Sequence, residues 1–149
     1  MKSAVSGATG SAASQRFADV NADKIRTFCT ENKVTPNAFF NAAFAYTLSR
    51  FGKFEDTVYT TIYNGRSDSR LAGSMAMLVK TLPVLLHTSG NRIVLDLIRE
   101  AQEQIMQNMA NDIFSFAEIS AAYDIKADII FAYQGDEFTF DSIAQWNRT

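Results

Sequence analysis

The chain has 149 residues, of which 47% are hydrophobic and 12% aromatic; this suffices for one compact core but not for two ordinary domains. Its net charge of −2 gives no broad basic field, which argues against nucleic acid and anionic membrane surfaces as partners. Cys29 is the single cysteine and no apolar run approaches the roughly 20 residues that cross a bilayer, so we expect a cytoplasmic protein without an internal disulfide.

The first residues differ in composition from the rest of the chain. Residues 1–16 are dominated by Ser, Ala and Gly and lack the continuous apolar stretch of a secretory signal. We therefore expect 1–16 to be a flexible linker or a segment added during cloning, and 17–149 to form the folded domain.

Two helices are predicted next. Asn21 is a suitable N-cap for a helix over residues 22–32, whose apolar face is formed by Ile25, Phe28 and Cys29. A second helix is predicted to begin at Thr35-Pro36 and to stop at Gly52. Its apolar and aromatic residues recur at helical spacing and are expected to face the core: Phe39, Phe40, Ala43, Phe44, Thr47, Leu48 and Phe51.

Two strands are predicted in the middle of the chain. Residues 57–63 are all β-branched or aromatic, and Asn64-Gly65 provides the turn that ends this first strand. The second strand is predicted over 82–88, with Pro83 at its start or on a sheet edge, because proline cannot donate a hydrogen bond to a neighbouring strand.

The remaining elements alternate between helix and strand. Asn91 is predicted to begin the longest helix, and either Asp112 or Ser115 a short one through Ala122. Ala127 to Tyr133 is typical of a buried strand. A turn at Gly135-Asp136 and the strict alternation of 137–141 then indicate a hairpin strand. The fold class is therefore mixed α and β, with helices packed against a layered sheet.

Residues with catalytic or ligating chemistry are few. His87 is the only histidine in the sequence. Its place at the end of an apolar strand favours a structural role, or a ring whose tip reaches solvent, over a role as general base. Cys29 lies on an apolar helix face, where a small buried hydrophobe is the preferred interpretation. No metal-ligand spacing, P-loop or dinucleotide fingerprint is present.

Three segments, in this order, carry a more specific signal. The first combines Tyr63-Asn64-Gly65-Arg66 with Met75-Ala76-Met77-Leu78-Val79-Lys80-Thr81-Leu82-Pro83; the others are Asn111-Asp112-Ile113-Phe114-Ser115-Phe116 and Asp128-Ile129-Ile130-Phe131-Ala132-Tyr133-Gln134-Gly135. Together they resemble the C-terminal-lobe motifs of nonribosomal peptide synthetase condensation domains. The family motif has Gly, Phe and Asn where this chain has Ala76, Leu78 and Lys80, and a proline that the second segment lacks.

The resemblance implies a half-domain of the chloramphenicol acetyltransferase-like superfamily, an α/β (α+β two-layer sandwich) lobe with a mixed sheet. In that family the catalytic His-His-x-x-x-Asp-Gly motif lies on the N-terminal lobe. Here His87 is followed four residues later by Asn91 instead of an aspartate. The chain is therefore expected to contribute no catalytic residue and to be inactive alone.

The resemblance also implies partners and site residues. Phosphopantetheine would be carried by peptidyl and aminoacyl carrier proteins and not bound by this lobe as its own cofactor. Lys80, Thr81, Leu82 and Pro83 would line the substrate channel, and Asn64, Gly65 and Arg66 would lie near the interface with the N-terminal lobe. Without that lobe, the exposed interface is expected to favour self-association.

Other functions stay open at this point. An epimerisation or ester-forming relative, or a stand-alone acyltransferase of the superfamily, would share the same lobe. A non-catalytic protein-binding module and a small complete enzyme that uses His87 are the alternatives from other classes.

Overall fold

The computed structural model describes residues 10–15, 17, 19–63, 79–90, 92–111 and 113–135. In chain order, its elements are helices α1 (Ala22–Asn32) and α2 (Pro36–Gly52), strands β1 (Asp56–Tyr63) and β2 (Lys80–His87), helices α3 (Val94–Ala110) and α4 (Phe116–Tyr123), and strand β3 (Ile130–Phe131).

The first two helices begin where their capping residues predict. The side chains of Asn21 and Thr35 each accept a hydrogen bond from the backbone N–H three residues later, at 3.0 and 3.2 Å. The predicted end of α2 at Gly52 is confirmed. Gly52 is the last helical residue, and Lys53 adopts the left-handed conformation that ends the helix, with φ of 55°.

The residues that helix α2 buries are small or polar, and most of its aromatic residues lie at the margin of the core. The prediction that Ala43, Thr47 and Phe51 face the core is wrong, because all three residues are exposed, Phe51 by 87%. Phe39 and Phe44 are partly buried against the core. The helix lies between β1 and α3, where close approach leaves room only for short side chains. Its fully buried positions are Ala38, Asn41, Ala42, Ala45 and Ser49.

The sheet is mixed, as predicted. Among the described residues its strand order is β2-β1-β3, with β2 antiparallel and β3 parallel to β1. Strand β2 begins two residues before the predicted Leu82. Pro83 lies within it, but β2 is an edge strand, so the missing N–H of the proline breaks no pairing with β1.

Helix α3 covers the outer edge of β2 with amide side chains. Gln104 accepts from the Leu85 N–H at 3.0 Å and donates to the Leu85 carbonyl. Asn108 donates to the Pro83 carbonyl at 2.6 Å. These side chains bond to backbone groups that would otherwise offer an edge for pairing with another strand.

The core lies between the sheet and helices α1 to α3. Its centre is aromatic: the ring centroid of Phe44 lies 5.2 Å from that of Tyr59 and 4.6 Å from that of Phe131. Cys29 is 2% exposed, which confirms that it is a buried hydrophobe. The largest fully buried side chains are Tyr59, Leu86, Ile98, Val84, Asn41 and Thr60.

Two of the predicted elements are corrected. Helix α3 begins at Val94 and not at Asn91, and Ile93 at its N-cap makes no side-chain capping bond. The predicted buried strand from Ala127 to Tyr133 is reduced to the two residues of β3. Ile130 is 60% exposed, because β3 lies at an edge of the described sheet and its outer face is uncovered. The start of α4 at Ser115 is confirmed, whereas Asp112 and residues 137–141 lie outside the described residues.

Candidate functional site

A groove lies where the first residues of β2 meet helix α4. Its volume is about 530 Å³. We call it the β2–α4 groove, and it is lined by Thr60, Val79, Lys80, Thr81, Ile113, Ser115, Phe116, Ala117, Glu118, Ala127 and Ile130.

The groove contains two of the predicted channel residues. Lys80 and Thr81 line it, whereas Leu82 is 4% exposed and belongs to the core. Pro83 pairs with Thr60 across the two strands and is not part of the lining. Alternation along β2 separates Thr81 from Leu82, because successive side chains point to opposite faces of a strand. Asn64, Gly65 and Arg66 lie outside the described residues.

One wall of the groove is the first turn of α4, which is held by a reciprocal capping box. Oε2 of Glu118 accepts from the N–H and the hydroxyl of Ser115, at 2.8 and 2.7 Å. The Glu118 N–H in turn donates to Oγ of Ser115 at 3.3 Å. The hydrogen bonds from Ser115 lower the pKa of the Glu118 carboxyl, which fixes a negative charge in this wall.

The floor of the groove is formed by β1 and β3. Thr60 is 1% exposed, and both its N–H and its hydroxyl donate to the Ile129 carbonyl, at 3.0 and 3.1 Å. This pair of bonds holds the short strand β3 against β1 and places Ile130 in the lining. The sequence analysis did not assign Thr60 or Glu118 to a site. The spacing of Ser115 and Glu118, which is typical of a capping box, was the only available signal for this wall.

His87 lies at the other end of β2, away from this groove. Its side chain is 60% exposed, and its Nδ1 contacts the carboxylate of Asp56, the residue opposite it on β1. The carbonyl of His87 accepts a hydrogen bond from Arg92 at 2.6 Å. The His87 side chain thus reaches solvent and has an acidic neighbour, and its position at the end of an apolar strand predicted the exposed ring tip.

Other site types lack support in the part of the chain that the structure describes. No group of three or more His, Cys, Asp or Glu residues is arranged to hold a metal ion there. Burial raises the pKa of the Cys29 thiol, so its reactive thiolate form is suppressed. No helix in the described ranges is long and apolar enough to span a membrane.

The β2–α4 groove is therefore suited to binding and positioning. Its lining combines apolar walls with three hydroxyls, one ammonium and one carboxylate, and the lining residues include no histidine or cysteine. Such a surface can hold a ligand by burial of its apolar part and can fix its orientation by a few polar contacts.

Comparisons with known proteins identify one family. A family profile described as "Condensation domain" matches residues 2–146. Bacitracin synthase 1 of Bacillus licheniformis is 27% identical over 106 residues, and gramicidin S synthase 2 of Brevibacillus brevis is 22% identical over 133 residues. These alignments cover 71% and 87% of this chain but only 2% and 3% of the two synthases.

Solved structures share the fold. The four-domain nonribosomal peptide synthetase holo-AB3403, bound to AMP and glycine, superposes with a TM-score of 0.68 at 16% identity. The match covers 75% of this chain and 9% of that one. The first condensation domain of the CDA synthetase gives 0.66 at 13% identity, over 74% of this chain and 27% of that one. The chain thus spans only a part of each protein that it matches.

Proposed function

Because the chain belongs to the condensation-domain family of nonribosomal peptide synthetases, we propose that it forms the C-terminal lobe of such a domain. The complete domain would join two thioesters that carrier proteins present on phosphopantetheine arms. The amine of the aminoacyl thioester attacks the carbonyl of the acyl or peptidyl thioester, an amide bond forms, and the carrier thiol leaves with a proton.

The observation that carries the proposal is the position of the Lys80-Thr81-Leu82-Pro83 segment. This segment carries part of the resemblance, and its first two residues line the β2–α4 groove, whose lining includes no histidine. The groove would act as one wall of a channel, and the N-terminal lobe would supply the other wall and the general base. Holding two tethered reactants at attack distance makes their encounter effectively unimolecular, which is a large part of the rate gain.

The lining residues have distinct proposed roles. The apolar residues would contact the acyl chain or the arm, and the Thr81 hydroxyl would orient a thioester or amide carbonyl. The ammonium of Lys80 would stabilise the negative charge that develops on the thioester carbonyl oxygen. Glu118 would attract the incoming ammonium group before its deprotonation. We further propose that Asn64, Gly65 and Arg66 lie beside the N-terminal lobe.

The test is complementation between two lobes. Amide formation is followed by mass spectrometry with loaded carrier proteins, first with this chain alone and then with an N-terminal lobe that bears the two-histidine motif. Activity is expected only in the mixture. Turnover by this chain alone would overturn the proposal and would favour a small complete enzyme.

Matched variants make the test specific. Lys80→Ala is expected to lower the rate in the mixture, whereas Lys24→Ala, which removes an exposed lysine from α1, leaves it unchanged. His87→Ala is also expected to leave it unchanged. Equal rates for Lys80→Ala and Lys24→Ala would contradict the assigned role of the groove.

The same assay separates related functions. A hydroxyacyl acceptor in place of the aminoacyl acceptor identifies an ester-forming relative, and inversion of the upstream residue identifies an epimerisation relative. Tight binding of a partner that requires neither carrier protein nor N-terminal lobe would indicate a non-catalytic binding module.

A further inference from the structure

A second groove lies on the helical side of the molecule, between α2 and the start of α3. We call it the α2–α3 groove, and its volume is about 500 Å³. His87 lines this groove, whereas Lys80 lines the β2–α4 groove. These residues are seven positions apart on one strand, or about 23 Å along it. A ligand in one groove therefore leaves the other unfilled.

The interior of the α2–α3 groove is apolar. Ala42, Leu97 and Ile98 form its base and are at most 7% exposed. Around the mouth, Tyr46 and Val94 are 47% and 70% exposed. A ligand with a hydrocarbon body would remove this apolar rim from water, which favours binding.

The mouth also carries three basic side chains, two of which already contact a carboxylate. Arg92 pairs with Glu100 at 2.6 Å, and His87 contacts Asp56. Arg50 differs from both. Its guanidinium lies 4.9 Å from the centre of the Tyr46 ring, and it forms no ion pair with any residue in the described ranges.

The surroundings of Arg50 leave its charge available to a ligand. An adjoining hollow is lined by Arg50, Lys53 and Glu55, so the carboxylate in that hollow is accompanied by a second cation. The aromatic ring holds the guanidinium by a cation–π contact, which does not neutralise it and leaves its N–H groups able to donate. The groove thus presents the Arg50 guanidinium, which contacts no carboxylate in the described ranges, beside an apolar interior.

We propose that the α2–α3 groove binds a small monocarboxylate with an aliphatic or aromatic body. The carboxylate would form a two-pronged hydrogen bond with Arg50, because the guanidinium fork matches the geometry of a carboxylate. The hydrocarbon body would lie against Ala42 and Leu97. This site is independent of the condensation function, since it lies outside the β2–α4 groove and needs no second lobe.

The experiment is a calorimetric titration of the complete chain with sodium octanoate, and with 1-octanol as the uncharged probe. We expect saturable binding of one octanoate and at least tenfold weaker binding of octanol. Arg50→Gln should weaken octanoate binding at least tenfold, because the variant loses the positive charge and at least one of the two hydrogen bonds to the carboxylate. Non-saturable binding, or equal affinity for the two probes, would overturn the proposal.

Two further variants keep the result interpretable. Arg99→Gln removes an exposed arginine of α3 that does not line this groove and should leave octanoate binding unchanged. Ala43→Phe fills the groove from an exposed position on α2 and should abolish binding. Circular dichroism confirms that each variant is folded. Unchanged binding by folded Arg50→Gln or Ala43→Phe would place octanoate elsewhere and refute the site.

Discussion

The hydroxyl of Tyr59 lies 2.9 Å from Oδ1 of Asn41, and both side chains are fully buried. The same hydroxyl is 3.1 Å from the Asn41 carbonyl, and the Asn41 amide donates to Asn37 at 2.7 and 2.9 Å. A polar chain therefore joins the central strand to α2 inside the core. Burial raises the pKa of Tyr59, so its hydroxyl stays protonated and able to donate.

Removal of this hydroxyl is expected to be costly. Tyr59→Phe leaves the buried acceptor of Asn41 without its donor, so we expect the free energy of unfolding to fall by about 1–3 kcal/mol. Chemical denaturation measures this change. Tyr46→Phe, at a half-exposed position of α2, should change the free energy by no more than about 0.5 kcal/mol. Equal effects of the two variants would contradict the structural role of the Tyr59–Asn41 pair.

The amide that covers the edge of β2 gives a second prediction. Gln104→Ala removes both hydrogen bonds to Leu85, and we expect it to destabilise the fold by about 1–2 kcal/mol. Hydrogen exchange should also show faster exchange of the Leu85 amide. Gln107→Ala, one turn further along α3, removes only a surface contact with Glu103 and is the matched control. An unchanged exchange rate at Leu85 in Gln104→Ala would refute the edge-covering role.

The capping box of α4 should make stability depend on pH. Ser115→Ala is expected to destabilise the fold by about 1 kcal/mol through loss of the cap. The pKa of Glu118 is lower in the folded chain than its usual 4.5, so its stabilising effect is complete above that value. This stabilising effect is lost as the pH falls through the pKa that Glu118 has in the folded chain. The stability difference between wild type and Glu118→Gln should therefore shrink in acid, and a pH-independent difference would contradict this assignment.

Cys29 should be chemically silent in the folded protein. Because burial suppresses its thiolate, we expect labelling by a thiol reagent to follow global unfolding, not to occur in the native state. Its raised pKa also means that the fold loses stability as the pH rises above 9.0, where the unfolded thiol ionises. Rapid labelling under native conditions, compared with a denatured sample as control, would contradict burial of this side chain.

The outer face of the sheet should govern self-association of the isolated lobe. Val58 and Leu85 pair across β1 and β2 on that face and are 40% and 43% exposed, and Ile62 and Ile130 extend the apolar surface. We predict concentration-dependent dimers in analytical ultracentrifugation, which Leu85→Lys disrupts. Phe51→Lys, on the helical side, is the control and should leave the dimer intact. A monomer at all concentrations would refute the prediction.

The sequence alone determined the features that depend on neighbouring residues. Asn21, Thr35 and Ser115 are caps because a short polar side chain reaches the backbone N–H groups of the next turn, whatever lies around the helix. The unbroken β-branched and aromatic run of β1 likewise predicts an extended strand. The ordered motifs led to the family because they are read directly from the chain.

Only the tertiary structure decided which surfaces meet. The phenylalanines of α2 suggested its core face, yet the close approach of β1 and α3 selects the small residues, and Phe51 remains in solvent. Nothing near Gln104 or Thr60 in the sequence indicates that each bonds to a segment 19 or 69 residues away. The β2–α4 groove arises from such distant contacts, because side chains from β1, β2, α4 and β3 converge only when the sheet is assembled.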